Sequence, residues 1–275
     1  MTTLLFPAEA GGEMSAVALV EFFEALAACP REGAGAWVFE HGTSQLGVLL
    51  IENGRICWST LPGRRKRLLE ILQDVSGTPT SAIEDALRAC ITDKVSIIDG
   101  LVQHGVITRE QLVVAVKRDT LESLLTIAHT PERRGIWRPH RGQGYGASIQ
   151  FSLTELMVEA VANLLDAPYE ALTASAAQTF GADAHFVFVS RDGLPVGASP
   201  TVAAMSVPEC LALARRGEAL GGDSASNIVA EAAPGDGRRV TVVWRDGPWR
   251  GVIETSGAPH LAVRKLMQRE VVATS

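Results

Sequence analysis

The residues in this chain best suited to chemistry are its six histidines, its four cysteines and its dense cation runs, and spacing decides what each can do. His41, His104, His129, His140, His185 and His260 stand singly. None has a second histidine four residues on, and none neighbours a cysteine at the spacing of a zinc-ligand pair. Cys29, Cys57, Cys90 and Cys210 lie far apart, without a C-x-x-C pair, each inside an apolar stretch where a thiol reads as a small buried hydrophobe. Neither a G-x-S-x-G elbow nor a G-x-x-x-x-G-K-[ST] loop occurs. Gly142, Gly144 and Gly146 mimic part of a dinucleotide fingerprint. They follow Pro139-His140-Arg141 and not a buried parallel strand, and no helix opens directly after them, so a hairpin loop is the expectation. No nucleophile, base or metal arrangement is visible, which predicts a chain without catalytic residues, cofactor or metal.

Arg64-Arg65-Lys66-Arg67 is the most pointed charge run. It stands just before a predicted helix, where cations oppose the macrodipole at a cost of roughly 0.3–1 kcal/mol for each close charge. Two readings follow: a grip on a phosphate or an acidic partner, or a solvated helix face. Arg133, Arg134, Arg138 and Arg141 form a second cluster, read as charge protecting a sheet edge. Trp37, Trp58, Trp137, Trp244 and Trp249 all fall in or beside predicted strands. Trp249, next to Gly247-Pro248, is the one placed to serve as an exposed interface anchor.

The elements that must position these residues belong to a core-forming protein. Of 275 residues, 47% are hydrophobic and 20% charged, enough for two ordinary domains. A formal charge of −6 argues against a surface built to hold nucleic acid. Met1 to Ala28 contains no Lys or Arg, unlike a signal peptide, and no apolar run approaches the ~20 residues that cross a bilayer. A cytoplasmic protein without membrane insertion is expected.

A first helix is predicted from about Glu13 to Ala28, with Leu19, Phe22, Phe23 and Leu26 on one face. Strands follow at Ala36–Glu40, Leu46–Ile51 and Arg55–Thr60, the last two joined by the hairpin signal Asn53-Gly54. From Arg64 to about His129 the pattern is helical, marked by Leu68, Leu69 and Leu72, then by Ile83, Leu87 and Ile91. A capping box at Thr108 to Gln111 then opens a helix carrying Leu112, Val116 and Leu121. Two short strands are expected between Ile136 and Phe151, around the Gly142–Gly146 loop. Ser152 to Glu155 caps a helix whose stripe runs from Leu153 to Leu165. Pro168 punctuates it and marks the expected domain boundary. Beyond lies an α-β-β-α-β-β-β-α order: a helix over Tyr169–Phe180, strands at His185–Ser190 and Leu194–Ser199, and a helix capped by Ser206 running to about Arg216. Strands at Asn227–Glu231, Val240–Arg245 and Arg250–Thr255 and a closing helix from Pro259 complete it.

That order, with the turn Arg191-Asp192-Gly193-Leu194 and the small residues Gly197-Ala198-Ser199, resembles the roadblock family over about Tyr169 to Val271. The resemblance implies a five-stranded antiparallel sheet with helices, dimerisation through the sheet edge and middle helix, and small-GTPase regulation. The first part resembles the PATAN domain of bacterial signalling proteins, an interaction and output module without a catalytic site. The residues that carry the likeness are Gly47-Val48-Leu49, Glu52-Asn53-Gly54-Arg55-Ile56, the helix at Leu68 to Leu72, and Phe151 to Leu164. Gly100 to Leu112 is similar to a helical module near the N-terminus of secretion and pilus ATPases, some of which bind cyclic di-GMP. Lys94-Val95-Ser96 stands near the place of the Arg-Leu-Gly that opens the nucleotide-binding version, so that ligand is not implied.

The expectation is an α+β protein with two domains. Residues 1–167 form the PATAN-like mixed α/β domain, with a helical insert at about 79–130, and residues 168–275 the roadblock-like domain. Its expected function is non-catalytic regulation or adaptation in bacterial signalling. The expected partners are proteins: a small GTPase or other signalling protein, and a second copy of the chain. The interaction residues expected are Arg64, Arg65, Lys66 and Arg67; Val207, Leu211 and Ala214 on the middle helix; Ile228 and Val229 on an open strand edge; and Trp249. The alternative is a sensor of a nucleotide or small metabolite. Convergent polar groups within an apolar cavity would favour the sensor, and a large exposed apolar patch the adaptor.

Overall fold

The computed structural model describes residues 3–5, 14–28, 33–93, 95, 97–140, 147–181, 183–221, 228–232, 239–256 and 262–266. In chain order its elements begin with β1 (Thr3–Leu5), α1 (Ala16–Ala27), β2 (Ala34–His41), β3 (Ser44–Glu52) and β4 (Arg55–Thr60). Four helices follow: α2 (Arg65–Ser76), α3 (Thr80–Asp93), α4 (Ile97–Gln103) and α5 (Arg109–His129). Next come β5 (Arg134–Pro139), β6 (Phe151–Ser152), α6 (Leu153–Leu164), α7 (Tyr169–Phe180), β7 (His185–Val189) and β8 (Pro195–Ala198). The chain continues through α8 (Pro200–Ala203), α9 (Val207–Gly221), β9 (Ile228–Ala232), β10 (Arg239–Asp246) and β11 (Trp249–Ser256). The α+β class expected from the sequence is what forms, and neighbouring strands pair antiparallel in both sheets.

Packing divides the chain into two units, and not at Pro168. The first holds β1 to β5 and α2 to α5 and ends at Phe151, the first residue of β6; the second holds α1 and the chain from Ser152 on. The reason lies in two apolar stripes. Leu19, Val20, Phe22, Phe23 and Leu26 of α1 are buried, and α1 packs on α6 and α9. Leu156, Met157, Ala160 and Val161 of α6 are buried within the same unit. Pro168 therefore marks only the N-cap of α7, a bend inside the second unit.

The first unit is a six-stranded sheet in the order β1-β5-β2-β3-β4-β6. Asn53 and Gly54 take φ of 51° and 73°, the left-handed pair a two-residue hairpin needs, and join β3 to β4. Trp37 and Trp137 face each other across β2 and β5 with ring centroids 5.5 Å apart. The expected hairpin between Ile136 and Phe151 does not form: β5 lies between β1 and β2, while β6 is at the far edge beside β4. The Gly142–Gly146 loop lies outside the described residues. Helix α5, opened by the expected Thr108–Gln111 capping box, packs against β3 and β4. Helices α2 and α4 pack on α5, and α3 packs on α2 and α4.

The second unit is a five-stranded sheet in the order β8-β7-β11-β10-β9. Side chains alternate across it. On one face Val243 and Val252 are paired in register beneath α9, where Gly217 and Gly221 let the helix approach. On the other face Trp244 packs against Phe188 (5.5 Å) and Phe180 of α7 (5.1 Å), with Gly251 directly under the indole. Burial on both faces explains why β7 reads as a continuous apolar run after His185. Helix α9 extends past Arg216, to Gly221. Of the expected closing helix, residues 262–266 are helical, with Ala262 and Leu266 buried; Met267 and Val271 lie outside the described residues. Among the described residues, no helix is long and apolar enough to cross a membrane.

Candidate functional site

In the first unit, β4 ends at Thr60 and the chain turns through Leu61-Pro62-Gly63 into α2, Gly63 taking a φ of 80° that favours glycine. This turn, together with α2, α3, α4 and α5, surrounds a cavity of about 730 Å³. Its walls are largely aliphatic: Leu68, Leu69 and Leu72 of α2, Leu87 and Ile91 of α3, and Leu101 of α4. From α5 comes one stripe, Leu112, Val116, Asp119 and Ser123. The intervals are i, i+4, i+7 and i+11, which place all four on one side of the helix. Two of the four are polar and buried, Asp119 at 7% exposure and Ser123 at 1%.

Three buried polar atoms of cavity-lining residues have no hydrogen-bond partner among the described residues: Asp119 Oδ1, Ser123 Oγ and Arg64 Nη1. Unpaired buried groups cost on the order of 1–3 kcal/mol each. Burial pushes the Asp119 carboxyl above its ordinary range; the charges of Arg64 and Arg67 work against that shift, and Glu122 adds to it.

Behind this polar end stands a charge cluster. Arg64 Nη2 donates to Glu122 Oε2 at 2.6 Å. Arg67 grips both oxygens of the same carboxylate, at 2.8 and 2.7 Å, and Arg118 adds a bond at 3.3 Å. Hydrogen bonds from Arg67 above all, then from Arg64, hold the Glu122 carboxyl down at about 2. The cation run thus has an acidic partner inside its own unit, and Glu122 is what compensates guanidiniums at the N-terminus of α2. Lys66 is exposed, and the Arg65 side chain lies outside the described residues.

Other expected interaction residues are placed differently. Val207, Leu211 and Ala214 are buried at 1–3% exposure, so they belong to the core of the second unit and not to a surface strip. The cause is the packing of α9 on β7, β10 and β11 and also on α1 and α6. Ile228 is half-buried on β9, the strand at the sheet edge; the backbone of Val229 pairs with Val243 of β10, and the Val229 side chain lies outside the described residues. Trp249 is half-buried at the start of β11. The second arginine cluster does not guard an edge as expected: Arg133 is buried and donates to the Thr130 carbonyl, and β5 is an internal strand. Arg134 and Arg138 are exposed, and Arg141 lies outside the described residues.

Ile91, expected on the core face of its helix, is 71% exposed, because α3 buries Ile83, Ala86 and Cys90 instead. It forms an apolar rim to the cavity. Cys57, Cys90 and Cys210 are free and buried, and burial raises the thiols of Cys57 and Cys210 to about 11 and 12. The described residues contain no group of three or more His, Cys, Asp or Glu placed to hold a metal ion.

Leu112 and Val116 are legible as a stripe, but its continuation through Asp119 and Ser123 is the signal that sequence reasoning passed over. A carboxylate and a hydroxyl at positions where the helical period calls for apolar residues mark a polar patch in a buried wall. Compared with protein-family models, curated proteins and solved structures, the chain matches none.

Proposed function

We propose that the chain is a regulatory protein that binds a small molecule in the cavity of its first unit and does not transform it. The observation that carries this reading is a largely aliphatic cavity of about 730 Å³ whose lining residues include the buried carboxylate of Asp119. The cavity also falls within the roughly 300–1,000 Å³ of small-molecule sites, mostly apolar with a few fixed polar groups. The sensor is thus favoured over a pure adaptor, and bacterial signalling in the cytoplasm is its proposed setting.

Titration of the full chain with an uncharged naphthalene dye tests the reading. The expected result is saturable binding of one dye per chain, lost in Ile91→Lys, whose exposed side chain the fold can exchange freely. Absence of saturable binding, or equal binding by Ile91→Lys, contradicts it.

For the second unit we propose protein docking, as the roadblock resemblance implies, with a second copy or a signalling protein such as a small GTPase. The feature that supports it is β9, which has β10 on one side and no strand on the other among the described residues. Val229→Pro removes a ladder donor from that strand and is expected to turn a dimer into a monomer in equilibrium sedimentation. A wild-type monomer at tens of micromolar would contradict self-association.

A further inference from the structure

Resting on that reading of the cavity, we infer that its ligand is an uncharged aliphatic molecule, a hydrocarbon chain with a small neutral end, and not a nucleotide or another organic ion. The walls set the chain. Leu72, Leu101, Leu112 and Val116 line the cavity at 1–2% exposure, and Leu68, Leu69 and Leu87 are half-buried around it. Ile91 carries the same aliphatic lining out to solvent at 71% exposure. Walls of this kind hold a ligand in proportion to the apolar area that both remove from water. Trp58 is the single aromatic among the described residues that line the cavity, so a planar base finds one indole to stack on.

The ionisable groups set the neutrality. Four such side chains are among the described lining residues, two of each sign: Arg64, Arg88, Glu84 and Asp119. Neither arginine is a free counter-ion, since Arg64 lies 2.6 Å from Glu122 and Arg88 lies 2.7 Å from Asp85. A phosphate or carboxylate would have to displace one of these partners, and would do so beside two acids. A cation drawn to the exposed Glu84 would meet Arg88 one helical turn on. An ion of either sign also loses hydration on entering aliphatic walls, and exposed side chains at the rim do not replace it. A neutral chain bears none of these costs.

Calorimetric titration of the full chain with hexanol, octanol and decanol, then with octanoate, octylammonium and adenosine monophosphate, tests this inference. Affinity is expected to rise about three- to fourfold with each added methylene of the alcohols. Octanol should exceed both eight-carbon ions about tenfold or more, and the nucleotide should not bind. The alcohols should displace the naphthalene dye, which places them in the same cavity. Leu87→Trp, which fills part of the void from a half-buried position, is expected to weaken decanol more than hexanol. Affinity independent of chain length, an ion or nucleotide that binds best, alcohols that leave the dye in place, or a Leu87→Trp chain that binds decanol as the wild type does would overturn the ligand class. In each of these cases saturable binding of the dye keeps the cavity as a site. Failure of the dye and every probe to bind overturns the reading of the cavity itself.

Discussion

In the second unit, Ser199 Oγ accepts from the Phe186 and Val202 amides, and Ser190 Oγ accepts from those of Asp192 and Leu194. In the first, Ser123 Oγ is as deeply buried and has no partner among the described residues, and Asp119 Oδ1 beside it has none either. The contrast extends to packing. Gly217 and Gly251 allow a helix and an indole to close onto the second sheet, so that a Cβ on either glycine would overlap Val252 or Trp244. The helices of the first unit leave about 730 Å³ open. Trp244 Nε1 of the second unit is likewise buried without a partner among the described residues, so the difference between the units lies in the open volume and not in the unpaired groups alone.

The sharpest way to break this contrast is to make the same truncation in each unit. Leu211 in the second and Leu72 in the first are 3% and 2% exposed. Leu211→Ala is expected to cost about 3–5 kcal/mol and Leu72→Ala about 2 kcal/mol, because Leu72 already faces the void and has fewer contacts to lose. Hydrogen exchange measured separately over the two units reads both values, and equal costs would remove the packing difference.

A smaller effect is expected at Glu122. Its carboxyl is held at about 2 in the folded chain, below the ordinary 4.5. The stability this contributes is present above the ordinary value and is lost as pH falls through it toward the folded one. Glu122→Gln should therefore destabilise the first unit near neutrality by about 1–2 kcal/mol, allowing for its partial exposure, and flatten the acid limb of its stability profile. Acid unfolding followed in both proteins checks this, and an unchanged acid limb would mean that the arginine cluster is idle.

The smallest effect has the opposite sign. The Asp119 carboxyl is raised by burial, so the folded chain holds that proton more tightly than the unfolded chain does. Stability from this group is full at low pH and falls as pH rises through the folded value. Asp119→Asn is expected to raise the melting temperature of the ligand-free first unit near neutrality. A lower melting temperature would show that the Asp119 carboxylate is stabilised within the folded chain.

Most of the second sheet was legible because its strands are separated by strong turn signals. Asp192-Gly193 and Asp246-Gly247 fall where β7 turns to β8 and β10 to β11, with Gly193 and Gly247 at positive φ. The Thr108 capping box likewise located α5. What escaped the sequence are contacts between distant segments. Nothing local to Leu19–Leu26 states that this stripe packs on α6, more than a hundred residues away, so the unit boundary at Phe151 was not visible. The middle helix showed an apolar strip, but periodicity does not tell which surface covers it, and Val207, Leu211 and Ala214 proved to be buried within their own unit. For the site, Arg64 and Arg67 stood out as an uncompensated charge run, and Glu122, more than fifty residues on, is their partner.

Methyl NMR of the full chain, titrated with the uncharged naphthalene dye, tests the central claim most directly. The account predicts saturable shifts at the methyls of Leu68, Leu69, Leu72, Leu87, Ile91 and Leu101, and none at Val187, Val242 or Val252 of the closed second core. Shifts confined to the second unit, spread without saturation over both, or absent altogether would contradict it.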